Sequence, residues 1–210
     1  MSSLASTPPM TLPTVPAQPA GPTRIPSPLY RMTLEQYESL IASGFFTKHD
    51  DVHLINGYLV TRMAESTLHG AICEVIRLAI EALLLAMWHT RSEKGLRIPA
   101  QSSMPRPDLV IVRGAPRDYL ARYPEPADTA LVVEVSISSL DEDRAMADIY
   151  AAGGVPVYWI VNLVDGQVEV YSNPGPSGYQ THEVLAPGHV LRVLIDGVEV
   201  GEIPVADVLP

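Results

Sequence analysis

Residues 130 to 137, ALVVEVSI, form a near-continuous apolar run with a single carboxylate, Glu134, set inside it. A strand with one wet face alternates apolar and polar residues, whereas an almost unbroken run belongs to a strand covered on both faces. Covering both faces requires other elements packed on each side. RPDLVIV (106 to 112) supplies a second β-branched run entered through a proline, and VYWIVN (157 to 162) and QVEVYS (167 to 172) read as two more, separated by a turn containing Asp165-Gly166. DEDRAMADIYAAGG (141 to 154) begins with acids and ends in glycines, as a helix favoured by its own dipole does. The chain is therefore predicted to be a mixed α/β domain, a β-sheet core flanked by helices.

The remaining segments fit that scheme. Thr33, followed by Glu35 and Gln36, opens a short helix that stops before Gly44. HLINGYLVT (53 to 61) has an Asn56-Gly57 pair between apolar runs, the signal of an N-terminal hairpin. A long helix is predicted from about Leu68 to His89, and residues 113 to 129 read as a loop with one helical turn. From Tyr179 to Pro210, short strands alternate with Pro-Gly and Asp-Gly turns. No internal repeat is present.

Composition narrows the class. The chain has 210 residues, 47% of them hydrophobic, enough for one substantial core. A large share of its 20 prolines falls in residues 1 to 28, which carry almost no charge. That stretch is expected to be a disordered, solvated tail without the features of a secretory signal, ahead of one domain over 29 to 210. The single cysteine, Cys73, rules out an intramolecular disulfide, excludes a cysteine-cluster metal site and fits a reducing cytoplasm. Cys73 itself reads as a buried small residue on a helix. The apolar stretch 71 to 88 is interrupted by Glu74, Arg77 and Glu81 at helical spacings, so it is an amphipathic core helix and not a membrane anchor. The net charge of −10 argues against nucleic-acid binding through a broad basic surface, yet leaves room for phosphate contacts made through a divalent cation.

Glu134 is the residue that most needs explaining. A carboxylate inside an apolar strand is costly unless it is paired, protonated or bound to metal. Asp108, after Pro107 and at the start of another apolar run, is the natural companion. Two carboxylates on neighbouring strands can converge on a hard cation such as Mg²⁺, which polarises a phosphoryl oxygen and activates water. The alternative is a core ion pair for Glu134 and a strand-capping role for Asp108. No G-x-S-x-G, P-loop or H-E-x-x-H pattern offers a competing chemistry. His69, at the start of the long helix, is expected to make a local hydrogen bond there, and Tyr158 and Trp159 to pack in the sheet.

The succession PRPDLVIV, LVVEVSISSL, a helix with Asp143-Arg144, then VPVYWIVNL resembles the Uma-type restriction endonuclease family of the PD-(D/E)XK nuclease superfamily, over about residues 30 to 210. The resemblance implies a restriction-endonuclease-like fold and a metal-dependent DNA endonuclease using Mg²⁺, with Mn²⁺ as a substitute. Asp108 matches the PD aspartate and Glu134 the second acid. Ser136 stands where most of the superfamily has lysine, a residue the Uma-type family moves to the following helix. Here no lysine follows Asp143-Arg144: the site falls on Ala147 counted from Asp143, or on Met146 counted back from Tyr150. Arg144 is the remaining cation that could substitute, although a guanidinium is a poor proton acceptor. The family usually has glutamate at the position of His53, an imidazole that favours Zn²⁺ or Mn²⁺ over Mg²⁺. His49 lies four residues before it, and His69 stands where the family often has a histidine.

Two further classes compete with the endonuclease: a catalytically degenerate family member that binds DNA or a protein partner without cleaving, and a homodimeric scaffold with no nucleic-acid role. The retained acids favour the enzyme; the acidic charge and absent lysine favour the others. The stripe Met146, Ile149 and Tyr150 predicts that the helix turns this face inward.

Overall fold

Thr33 converts an extended segment into helix α1 (Leu34–Ala42) through a capping box: its hydroxyl accepts the Gln36 N–H, and the Gln36 side chain accepts the Thr33 N–H. In the computed structural model the described residues are 28–47, 50–61 and 66–210. The expected proline-rich tail up to residue 27 and His49 lie outside them. The predicted hairpin forms from β1 (Val52–Ile55) and β2 (Tyr58–Thr61). Its turn needs positive φ at both central residues, which Asn56 (49°) and Gly57 (79°) adopt.

Helix α2 (Thr67–Glu81) is capped by the Ser66 hydroxyl and buries Ile72, Ile76 and Ile80, a stripe at fourfold spacing. Each isoleucine withdrawn from water contributes about 2 kcal/mol. This helix is shorter than its apolar sequence suggested. It stops at Glu81, the chain turns over Leu83 to Met87, and β3 (Trp88–Arg91) follows as an edge strand. Hydrophobicity continues across the break because both α2 and β3 contribute to one core, in which Ile80 and Trp88 sit together. The helical expectation through His89 is thus corrected.

Next come β4 (Leu109–Arg113), β5 (Thr129–Ser136), α3 (Leu140–Gly153), β6 (Val157–Asn162), β7 (Gln167–Gly175), β8 (Gly178–Leu185), β9 (Val190–Ile195) and β10 (Val198–Pro204). Short 3-10 turns at Pro116–Tyr119 and Pro126–Asp128 join β4 to β5. Strands β3 to β8 form one six-stranded sheet in chain order. Neighbours are antiparallel except β5 and β6, which are parallel and joined across the sheet by α3. Gly154, at φ 86°, ends that helix in the left-handed conformation.

The two faces of the sheet have separate cores. Leu109, Ile111, Leu131, Val133 and Val135 pack with α2 and with the hairpin β9–β10. Val110, Val112, Val132, Tyr158 and Ile160 pack with Ala147, Ile149 and Tyr150 of α3. Coverage of both faces is what an uninterrupted apolar β5 required. The fold is the expected mixed α/β type, with the sheet flanked by helices, an N-terminal hairpin and C-terminal strands.

Candidate functional site

Strand alternation assigns the two acids before any distance is measured. Glu134 follows Val132 by two residues and Asp108 precedes Val110 by two, so both belong to the α3 face of the sheet. Strands β4 and β5 are adjacent, and the acids are joined reciprocally. The Asp108 N–H donates to Glu134 Oε2 at 3.0 Å, while the Val135 N–H donates to Asp108 Oδ2 at 2.8 Å. Each carboxylate therefore bonds the backbone of the strand that carries the other. Asp108 is buried and Glu134 half-buried. Charge-assisted bonds of this kind offset part of the desolvation cost.

Two further side chains complete the cluster, and neither was assigned there from sequence. The Tyr150 hydroxyl, fully buried on α3, donates to Glu134 Oε1 at 3.0 Å. Burial and the adjacent Glu134 push the Tyr150 phenol well above its ordinary range, keeping it a donor. His69 Nε2 lies 3.0 Å from Asp108 Oδ2. The expectation of a merely local bond for His69 is corrected: its backbone N–H takes the Ser66 cap, while its ring reaches 39 residues along the chain. A polar hydroxyl inside the predicted inward stripe of α3 was the available signal for Tyr150. For His69 the signal was its match to a position where the resembling family often has a histidine.

Asp108, Glu134 and His69 line a cleft of about 680 Å³, between the β1–β2 hairpin, the start of α2, the ends of β4 and β5, and α3. His53 lines it from β1, and Ile55, Val60, Ile137, Met146 and Ile149 supply apolar wall. Its described lining residues include five acids (Asp108, Glu134, Glu142, Asp143 and Asp148) and one arginine, Arg106, which pairs with Asp51. Asp143 accepts a bond from the Ser139 hydroxyl at 2.8 Å. Burial, with a smaller contribution from the charge of Asp108, raises its carboxyl to about 6.

The helix positions that could have carried lysine differ in outlook. Met146 lines the cleft, whereas Ala147 is buried against the sheet. Arg144 is turned elsewhere: Nε and Nη2 bond the two carboxylate oxygens of Glu169 on β7, at 3.1 and 2.6 Å. It is not among the residues lining the cleft. The structure thus brings together Asp108, Glu134 and His53 around one cleft and directs Arg144 away from it.

The donor set suits a hard divalent cation at the acid pair, since two carboxylates on adjacent strands offer oxygen ligands and an open cleft leaves space for water. Softer donors stand beside it. His69, Cys73 and Asp108 each bring a ligand atom within 4.8 Å of the others. The single thiol packs against the core from α2, as expected of a small residue on a helix, and is also part of this mixed group.

A mixed sheet with a crossover helix facing an acid pair places the chain among nuclease-like α/β proteins. The Uma2 family model, described as "Putative restriction endonuclease", matches residues 34–206, and the chain belongs to that family. The solved structures include a similar fold described as a putative nuclease belonging to DUF820, from Anabaena variabilis. It aligns with a TM-score of 0.63 and 15% sequence identity, over 84% of this chain and 97% of that one. At that identity the likeness concerns the fold. No curated protein matches significantly. Among the described residues no helix is long and apolar enough to cross a membrane.

Proposed function

We propose that this protein is a divalent-cation-dependent DNA endonuclease of low turnover, hydrolysing phosphodiester bonds at the cleft between α3 and the hairpin. The observation that carries this reading is the reciprocal clamp between Asp108 and Glu134, which keeps two carboxylates side by side on neighbouring strands. These residues would hold Mg²⁺, or Mn²⁺ in its place, and the cation would supply Lewis-acid polarisation of a phosphoryl oxygen. Tyr150 orients Glu134 through one oxygen while the Asp108 N–H fixes the other. His69 restrains Asp108. Met146 and Ile149 supply apolar wall beside these groups.

Low turnover follows from Met146. A cationic group beside the developing charge contributes several kcal/mol in such sites, and a thioether contributes none of it. Arg144 cannot replace it while it is engaged by Glu169. Cleavage of supercoiled plasmid with Mg²⁺ or Mn²⁺ tests the reading. Met146→Lys is expected to raise the rate above wild type, and Ala147→Lys, aimed into the packed core, to destabilise the fold without a gain. If folded Met146→Lys that binds Mg²⁺ cleaves no faster, the assignment of that position is wrong.

The five acids against one arginine on the cleft support a second reading, a family member that binds a partner without cleaving it. Under that reading neither wild type nor Met146→Lys cuts DNA, while Glu134→Gln leaves partner binding intact.

A further inference from the structure

Cys73 follows His69 by one helical turn of α2, a spacing that puts both side chains on the same helix face. Cys73 Sγ lies 3.6 Å from His69 Nδ1, and the opposite ring nitrogen, Nε2, lies 3.0 Å from Asp108 Oδ2. Metal–ligand lengths of about 2.3 Å to sulfur and about 2.0 Å to imidazole, set at a tetrahedral angle, separate two donors by about 3.6 Å. The thiol and imidazole therefore already stand at the distance that one tetrahedral ion requires. The carboxylate behind the ring completes a familiar metal-site relation, in which an acid accepts the far N–H and directs the other nitrogen toward the ion.

We propose that Cys73 Sγ and His69 Nδ1 form a second cation site, for a thiophilic divalent ion such as Zn²⁺, with Asp108 as the outer partner of the imidazole. Thiolate and imidazole select such an ion, whereas the acid pair offers only oxygen and suits a hard one. Binding replaces the thiol proton: the S–H bond breaks, a sulfur–metal bond forms, and one proton passes to solvent. Asp108 serves both sites, and two nearby cations repel, so occupancy of one site lowers affinity at the other, reciprocally. The proposal stands whether or not the acid pair cleaves DNA.

The test is titration of the full-length, metal-free protein with Co²⁺ as a spectroscopic substitute. Wild type should develop a thiolate-to-cobalt charge-transfer absorption in the near ultraviolet, assignable without ambiguity because the chain has one cysteine. Cys73→Ser should lose the absorption. Cys73→His should lose it yet keep a calorimetric binding isotherm, and Asp108→Asn should bind about tenfold more weakly. Glu134→Gln should keep the absorption, which separates this site from the acid pair. Zn²⁺ should slow alkylation of Cys73 by iodoacetamide and release one proton per ion. A folded wild type that shows no absorption at saturating Co²⁺ overturns the proposal. So does an absorption unchanged in folded His69→Ala, since the thiol would then be binding without the imidazole. Equal alkylation rates with and without Zn²⁺ overturn it as well.

Discussion

Glu134 and Glu169 occupy equivalent places on the sheet and have opposite fates. Both stand opposite Ile160 of β6, Glu134 from β5 on one side and Glu169 from β7 on the other. Glu169 is only 1% exposed and is enclosed by a structural network. Arg144 grips both its oxygens, and the Tyr171 hydroxyl and the Asn162 amide donate to them. Burial pushes the Glu169 carboxyl up, but those bonds outweigh it and keep the group below its ordinary value. Glu134 instead accepts bonds from a phenol and a backbone N–H and borders an open cleft. A carboxylate in an apolar strand is thus no functional signal by itself. The signal lies in what compensates it and whether solvent or a ligand can approach.

The comparison breaks most directly through activity. Under the proposed function, Glu134→Gln should reduce metal-dependent DNA cleavage by on the order of a hundredfold or more, since the carboxylate would place the cation. Single-turnover plasmid cleavage measures it. An unchanged rate in a folded variant would place the chemistry elsewhere.

Arg144→Ala should act on stability, leaving Glu169 buried without its cation. Breaking a buried pair costs several kcal/mol. With the Arg144 side chain 43% exposed and therefore partly screened, a reduced but clear loss is expected in denaturant unfolding. Adding Glu169→Gln should recover part of that loss, because the stranded charge is then removed.

Tyr150→Phe sharpens the contrast from the other side. It removes one donor to Glu134 without opening a cavity, so a loss of about 1 to 2 kcal/mol should appear in the same unfolding assay. Met146 and the apolar packing of α3 are untouched by this change. A loss as large as that of Arg144→Ala would mean that Tyr150 anchors the helix as Arg144 does.

The last effect, visible only as a dependence on pH, concerns Asp143. Its folded-state carboxyl is raised to about 6, from an ordinary 3.8. Folding therefore favours the protonated form. The associated stability is fully present below about pH 4 and is lost as pH rises through about 6. Asp143→Asn removes this dependence. The variant should gain on wild type by on the order of 2 kcal/mol between pH 4 and pH 7, read from unfolding midpoints across that range.

Several parts of this molecule were legible in its sequence because their causes are local. The Asn56-Gly57 turn follows from φ, the start of α1 from Thr33 and Gln36, and the burial of β5 from its unbroken apolar run. The pairing of Asp108 with Glu134 was also inferable, because a proline-led strand and an acid-bearing strand, both apolar, belong in one sheet. The end of α2 was not legible. Apolar character is common to a buried helix and a buried edge strand, and pairing of Trp88–Arg91 with β4 decided between them.

The chemistry around the acids divides in the same way. Sequence alone determined which residue types were present: two acids in apolar strands, no lysine on α3, and one cysteine. Only the tertiary structure decided their partners. Glu169 stands between Val168 and Val170 as Glu134 stands between Val133 and Val135, and nothing along the chain announces that Arg144, 25 residues from Glu169, bonds one and not the other. His69 meets Asp108 across 39 residues, and that contact turns a helix-start histidine and its neighbouring thiol into a candidate ligand pair. Local sequence sets backbone conformation through sterics and short-range hydrogen bonds. The partners of a buried charge are chosen by which elements pack over it, and this information is distributed across the whole chain.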